Sequence, residues 1–453
     1  MSKKKVVILD GTGDGDEDLA APFGALREVL DRDGADVRRY HLKDIKLGHC
    51  IGCFGCWVKT PGVCVIADQG RDIVREVIQS DVTVLFTPVT FGGYSSALKV
   101  VVDRFIPLIL PFVGKFHGET HHTRRYERYP RLVGIGVQRQ YDEAEARIFR
   151  AVVGRNAINF HAPSFAADVL SLEVNEESLR KRLKDTLSRS DPFPEKDDIV
   201  PFLPGPGVAA SEHEKEGSRN ALLIVGSPKV KSRSGSSILG EYLTAILEAN
   251  GWNTETLTLK RSLNEEAGQA ELCAAIDRSN LIILAFPLYI DALPCLLTKA
   301  FEVIAQHRKT VQAPRPQRLF TLINNGFPGA HQNALALAIC RRFADQSGMS
   351  WAGLLAIGAG EALVGGQALT EPKRLGPPVK HVIEALDAAG ADLAQGGAVS
   401  PDTQSLVSRV PIPMVSFGIW RWLFDRLAVR QWMRHARKNG VSKEEMDLKP
   451  YVV

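Results

Sequence analysis

Asn220-Ala-Leu-Leu-Ile-Val225, then Gly226-Ser-Pro-Lys-Val-Lys-Ser-Arg-Ser-Gly-Ser-Ser237, then the helically periodic stretch Ile238–Asn250, follow one another without a gap. A short apolar run, a loop of small residues and an amphipathic period predict strand, turn and helix, the opening of a βαβ unit. The loop carries Lys229, Lys231 and Arg233 among five serines, and no carboxylate appears before Glu241. Hydroxyls and backbone N–H groups at a helix N-terminus, with cations around them, suit a phosphate. A Ser-rich surface loop is the alternative, and the phosphate is favoured.

The pattern repeats downstream. Leu281–Phe286 reads as a buried strand ending in Pro287-Leu-Tyr-Ile-Asp-Ala-Leu-Pro294, followed by a helix to about His307. Leu319–Asn324 is a strand leading into Asn324-Asn-Gly-Phe-Pro-Gly329, then come a helix over Gln332–Ser347, a strand over Trp351–Ile357 and a helix over Val379–Ala394.

The first half has the same plan. Val6–Leu9, Asp36–His41, Val82–Phe86, Arg131–Val137 and Phe165–Val169 are predicted strands. Leu19–Arg32, Gln69–Ile78, Leu98–Leu110, Asp142–Gly154 and a stretch capped near Asn175 are predicted helices. Strands alternating with helices predict an α/β fold of two tandem doubly wound parallel sheets, with ligands outside the carboxyl ends of the strands. The predicted divisions are a domain over 1–190, a Pro-rich linker over 191–218, a second domain over 219–398 and a C-terminal extension over 399–453. At 453 residues two domains are the expectation.

The first loop of the first half has different chemistry. Asp10, Asp14, Asp16, Glu17 and Asp18 place five carboxylates in nine residues. Two like charges about 5 Å apart repel by roughly 3 kcal/mol at a surface dielectric, so this loop is a poor phosphate cradle. Carboxylates capping a helix N-terminus in solvent is the favoured reading.

Cys50-Ile-Gly-Cys-Phe-Gly-Cys-Trp-Val-Lys-Thr-Pro-Gly-Val-Cys64 gathers four of the seven cysteines at spacing C-x2-C-x2-C-x7-C. One loop of this kind can turn four sulfurs to a common centre. Soft thiolates favour zinc or iron-sulfur, and the short spacers lean toward the latter. Thiols packed in a turn, or a redox disulfide, are the other readings. Cys273, Cys295 and Cys340 are scattered in helical apolar contexts and read as structural.

Composition is that of a soluble protein, 45% apolar and 24% charged, and a formal charge of +4 gives no strong steering toward nucleic acid. There is no signal-type apolar run at the start and no transmembrane run; with bunched cysteines this predicts the cytoplasm. Val415–Arg437 interleaves Trp420, Trp422, Phe424 and Trp432 with five arginines. Such a helix lies on a membrane surface or packs across two domains as a brace; the brace is favoured. The basic segment with His117, His121, His122, Arg124, Arg125 and Arg128 is read as a solvated loop, with contact to a dinucleotide pyrophosphate as the alternative.

Gly226-Ser-Pro-Lys229, followed some sixty residues on by a strand ending in Pro287-Leu-Tyr289, resembles the FMN reductase branch of the flavodoxin-like superfamily. Thr87-Pro-Val-Thr-Phe-Gly-Gly93 with Lys99–Arg104 resembles the same superfamily, and the cysteine loop is similar to that of the iron-sulfur flavoproteins, where such a run binds a 4Fe-4S cluster. The likeness covers roughly residues 4–180 and 219–395. It implies that Cys50, Cys53, Cys56 and Cys64 are cluster ligands, and that Ser227, Ser234, Ser236 and Ser237 hold the FMN phosphate. Pro287, Leu288, Tyr289, Ile290, Asn324, Asn325 and Gly326 would line the flavin ring; Pro88, Val89, Thr90, Phe91 and Gly92 match the ring loop in the first half. It further implies NAD(P)H as donor, an acceptor the sequence does not name, and working dimers, so that the halves form an internal pair or the chain an oligomer. A non-enzymatic electron carrier or an interaction protein with a zinc or redox-cysteine loop is the rival reading.

Overall fold

The computed structural model describes residues 3–211, 219–229, 233–313, 315–360, 369, 379–407 and 416–452. The chain divides into two compact units, Met1–Asp198 with Asp425–Val453, and Ile199–Phe424.

In the first unit the strands are β1 (Lys5–Asp10), β2 (Asp36–His41), β3 (Val82–Pro88), β4 (Ile109–Phe116), β5 (Glu119–Arg124), β6 (Arg131–Gln138) and β7 (Phe165–Ser171). Five form a parallel sheet in the order β2-β1-β3-β6-β7. β3, β6 and β7 are buried nearly end to end, as parallel strands covered on both faces must be. Ile8, Val84, Ile135 and Leu170 meet Leu26 and Leu183 of the covering helices Ala20–Arg32 and Glu176–Ser188 in one core. Helix starts follow local chemistry: Asp142 accepts from the Glu145 N–H and Asn175 from the Ser178 N–H.

The second unit contains β8 (Asn220–Val225), β9 (Asn253–Thr258), β10 (Leu281–Pro287), β11 (Arg318–Asn324) and β12 (Ser350–Ile357) in the order β12-β11-β10-β8-β9, all parallel. Numbered within each unit, both sheets have the order 2-1-3-4-5 of the flavodoxin-like fold, whose ligand site is the switch point between its first and third strands.

Two expectations are corrected, and one strand is added. The helix from Ser96 ends at Val102, because Pro107 sits in a 3-10 turn and Ile109 starts β4. The basic histidine segment is no solvated loop: it is the hairpin β4–β5, with His121 and Arg125 buried. The edge strand β9, Asn-Thr-Glu-Thr-Leu-Thr, carries no apolar run and was not legible as a strand. Within the Pro-rich stretch, the Val208 N–H donates to Trp351 O and the Ala210 N–H to Gly396 O, both at 2.7 Å, inside the second unit. Residues 212–218 lie outside the described residues.

Candidate functional site

At the switch point of the second unit, the Gly226 N–H donates to Ala285 O of β10, turning the chain after β8 toward the start of helix Gly235–Ala249. Ser234 and Ser237 form a reciprocal capping box there. Ser227 and Ser236 are buried beside it. The Ser236 hydroxyl donates to Asn324 Oδ1 at 2.7 Å, and Asn324 O accepts the Leu288 N–H at 2.8 Å. Asn324 therefore joins the serine turn to the segment after β10. The next residues form a tight turn, Tyr289 paired with Ala292, with Ile290 and Asp291 both at φ 53. Asn325 closes the neighbouring loop through Gly329 O and the Phe327 N–H, while Gly326 faces open space. Of the three cations expected near the phosphate, Arg233 is paired with Glu241, and Lys231 lies outside the described residues.

The first unit repeats this wiring. The Gly11 N–H donates to Phe86 O, the Val89 N–H to Val137 O, and Thr90 pairs with Gly93 across Phe91 and Gly92. Pro88 ends β3 and Phe91 is buried. The backbone donors of the first loop, however, are taken by its own carboxylates: Thr12 N–H by Asp10 (3.0 Å), Gly13 N–H by Asp16 (2.9 Å) and Gly15 N–H by Glu17 (3.3 Å). Asp10 is no solvated cap, being fully buried and paired with Arg39. The cavity of about 220 Å³ at this point is lined by Asp10, Asp16 and Glu17 as well as Arg39 and Lys43. An anion would meet these carboxylates first.

The cysteine loop leaves β2 and is clamped at its ends by Arg104, whose buried guanidinium reaches Gly48 O (3.1 Å), Ile66 O (3.4 Å) and the Asp68 carboxylate (2.6 Å). Asp68 in turn accepts from the Gly48 and Gly70 N–H groups. Burial alone would raise the Asp68 carboxyl, but Arg104 and these amides outweigh it and its pKa lies below the usual value. Inside the clamp Gly52 and Phe54 take left-handed backbone (φ 59 and 50), and Gly55–Val58 makes one buried helical turn. None of the four thiols is in a disulfide. Burial pushes the Cys50 thiol up to about 12, with Asp103, Cys64 and Cys53 adding to it. Cys56 is raised well above the ordinary thiol range by burial and then by Cys50, Cys64 and Cys53. Cys56 thus lies within electrostatic reach of the other three sulfurs. Burial pulls Arg104 down, but Asp68 and the Cys64 sulfur hold it above its ordinary value, and Arg125 stands near Cys56. These two arginines place positive charge beside the loop. Among the described residues no group of three or more His, Cys, Asp or Glu side chains has the arrangement of a single-ion site.

Residues 22–124, which contain this loop and the Pro88–Gly92 turn, match the NADPH-dependent FMN reductase family. The first unit has the flavodoxin-like strand order, and this match lies within it. The chain is 37% identical over 90 residues to an iron-sulfur flavoprotein of Methanocaldococcus jannaschii, covering 19% of this chain and 46% of that one. An iron-sulfur flavoprotein of Archaeoglobus fulgidus is 34% identical over 83 residues, 18% of this chain and 36% of that one. The chain therefore spans less than half the length of these relatives. Similar solved structures include the Trp repressor binding protein from Bacillus subtilis (17% identity, TM-score 0.27, 34% of this chain and 99% of that one). An FMN-dependent NADH-azoreductase from Bacillus anthracis in complex with FMN gives 14% identity and a TM-score of 0.30, covering 39% and 99%. Among the described residues no helix is long and apolar enough to cross a membrane.

Proposed function

We propose that this protein is an NAD(P)H-dependent FMN oxidoreductase that binds FMN at the switch point of its second unit and passes electrons by way of the cysteine loop of its first. The observation that carries the reading is the Asn324 junction, which brings the serine turn and the 287–290 segment together at the carboxyl ends of β8, β10 and β11. Ser227, Ser234, Ser236 and Ser237 and the helix N-terminus would hold the phosphate; Pro287–Ile290 and Asn324–Gly326 would face the ring. FMN, when bound, supplies the exchange between two-electron and one-electron chemistry. The residues bind and orient, and none is assigned as acid or base.

In the first unit Cys50, Cys53, Cys56 and Cys64 would hold a 4Fe-4S cluster. Their chemistry suits it: Cys56 interacting with the other three thiols, two adjacent arginines, and a Gly55 N–H donating to Cys53 Sγ at 3.4 Å. The loop of carboxylates supports one FMN per chain rather than two.

Anaerobic purification, with flavin, iron and sulfide quantified per chain, tests the reading together with NADH and NADPH oxidation. One FMN and four irons per chain, with steady oxidation in the presence of an artificial acceptor, is the expected result. A chain that stays colourless after incubation with FMN, iron and sulfide and oxidises neither nucleotide overturns it.

A further inference from the structure

The cysteine loop is also contacted from some 370 residues away in sequence, and no step of the proposed reaction uses these contacts. Phe54 and Trp57 flank Cys56, and their rings stack at 5.0 Å with an interplanar angle of 18°. Trp432 stands edge-on to both, at 5.1 Å from Phe54 and 5.0 Å from Trp57. The far side of Trp57 is fixed by its indole N–H, donated to Ile109 O at 2.9 Å, and by the His122 ring at 4.7 Å. Further along, Arg125 donates to Met446 O and Leu448 O, both at 2.7 Å. Gly62, at φ +80, lies so close to Pro450 that a Cβ would come within 2.5 Å of its ring. Gln79 donates to Tyr451 O at 2.9 Å.

We infer that residues 432–451 form a fixed lid on the cysteine centre, and that Trp432 is a positioning residue that holds the Phe54–Trp57 turn closed and keeps solvent from Cys56. Three features carry this. Phe54 has a left-handed backbone that a residue with a Cβ adopts only when its surroundings hold it there, and the surroundings are the two indoles. Cys56 is buried whereas Cys53, three residues earlier, is exposed, so the lid covers one side of the loop and leaves the other open. The attachments reach Phe54 and Trp57, Gly62, Arg125 and Gln79, from residues 432, 446, 448, 450 and 451, so the segment is seated along its length.

The inference rests on the cysteine-centre reading above only for what the lid protects, and the test separates the two. Trp432→Ala and Trp432→Phe are made in the full chain. In iron-free protein the alkylation rates of Cys56 and Cys53 are compared by peptide mass spectrometry, with Cys53 as internal reference. In anaerobically loaded protein the rate at which a chelator removes iron is followed. Trp432→Ala is expected to raise the Cys56-to-Cys53 ratio by about tenfold, the size expected from two lost edge-to-face ring contacts, and to speed iron release similarly. Trp432→Phe should restore most of the protection. Far-UV circular dichroism of each variant establishes that the sheet is intact. A ratio in Trp432→Ala within twofold of the parent overturns the lid, whatever the metal content. Conversely, a raised ratio in a chain that never takes up iron leaves the lid standing and removes the cluster.

Discussion

Asn324 and Asp68 show how much rests on single side chains here. Asn324 accepts from Ser236 with its side chain and from Leu288 with its backbone, so it sets the distance between the turn proposed for the phosphate and the turn proposed for the ring. Ser236→Ala removes the bond that fixes Asn324 beside the turn proposed for the phosphate; FMN should bind about tenfold more weakly, the size of one lost hydrogen bond. Fluorescence titration of the apoprotein measures this, and equal affinity would show that the serine turn is not the phosphate site. Asp68 works at the cysteine loop. Asp68→Asn leaves the guanidinium of Arg104, 1% exposed, without its carboxylate and facing carbonyls and the Cys64 sulfur. Because an uncompensated buried charge is costly, a loss of about 3 kcal/mol in the first unit is expected. Urea unfolding would detect it, and a change below about 0.5 kcal/mol would mean that Arg104 finds another partner.

At the scale of elements, the same turn chemistry decides where the chain can tolerate a side chain. Gly62 combines left-handed backbone with the ring of Pro450 against its Cα. Gly62→Ala should therefore cost about 2 kcal/mol and loosen the 446–451 segment, which would show as faster amide exchange there; unchanged exchange would mean that the segment is held elsewhere. The alternation of strands and helices was legible in the sequence because β3, β6, β7, β10 and β11 are buried on both faces and so are written as apolar runs. β9 was not, since an edge strand half in solvent needs no apolar run. The hairpin β4–β5 was hidden for the opposite reason: its histidines and arginines look solvated in sequence, yet His121 bonds Asn159 and Arg125 bonds backbone carbonyls. The candidate site divides similarly. The cysteine spacing and the serine turn could be read locally, whereas Arg104, Arg125 and Trp432 reach the cysteine loop only through tertiary folding, and no pattern within the loop announces them.

For the whole molecule, the consequence of burying so many polar groups in the first unit is a dependence on pH. Burial lowers His122 to about 4, with His121 pushing the same way, and burial likewise lowers His161 to about 4, so both are neutral in the folded unit at pH values where the unfolded chain would carry them charged. Between the ordinary histidine value of 6.5 and about 4 the unfolded state binds protons that the folded state does not, so stability falls as pH falls through that window. Each group should cost about 2 kcal/mol by pH 5 relative to pH 7. The Asp68 carboxyl is depressed instead, and its contribution, present above the unfolded carboxylate value of 3.8, is lost only as pH drops further through its folded value. The first unit should therefore weaken in two stages on acidification, histidines first and the Asp68–Arg104 clamp afterwards. Hydrogen exchange of peptides from β3 and β6, followed from pH 7 to pH 4 after correction for intrinsic rates, isolates this unit from the second. His122→Gln should roughly halve the upper stage, His161 supplying the rest, and leave the lower one in place. Equal protection at pH 7 and pH 5 would show that these imidazoles reach solvent in the folded chain, and that the aromatic packing around Trp57 is looser than the ring distances imply.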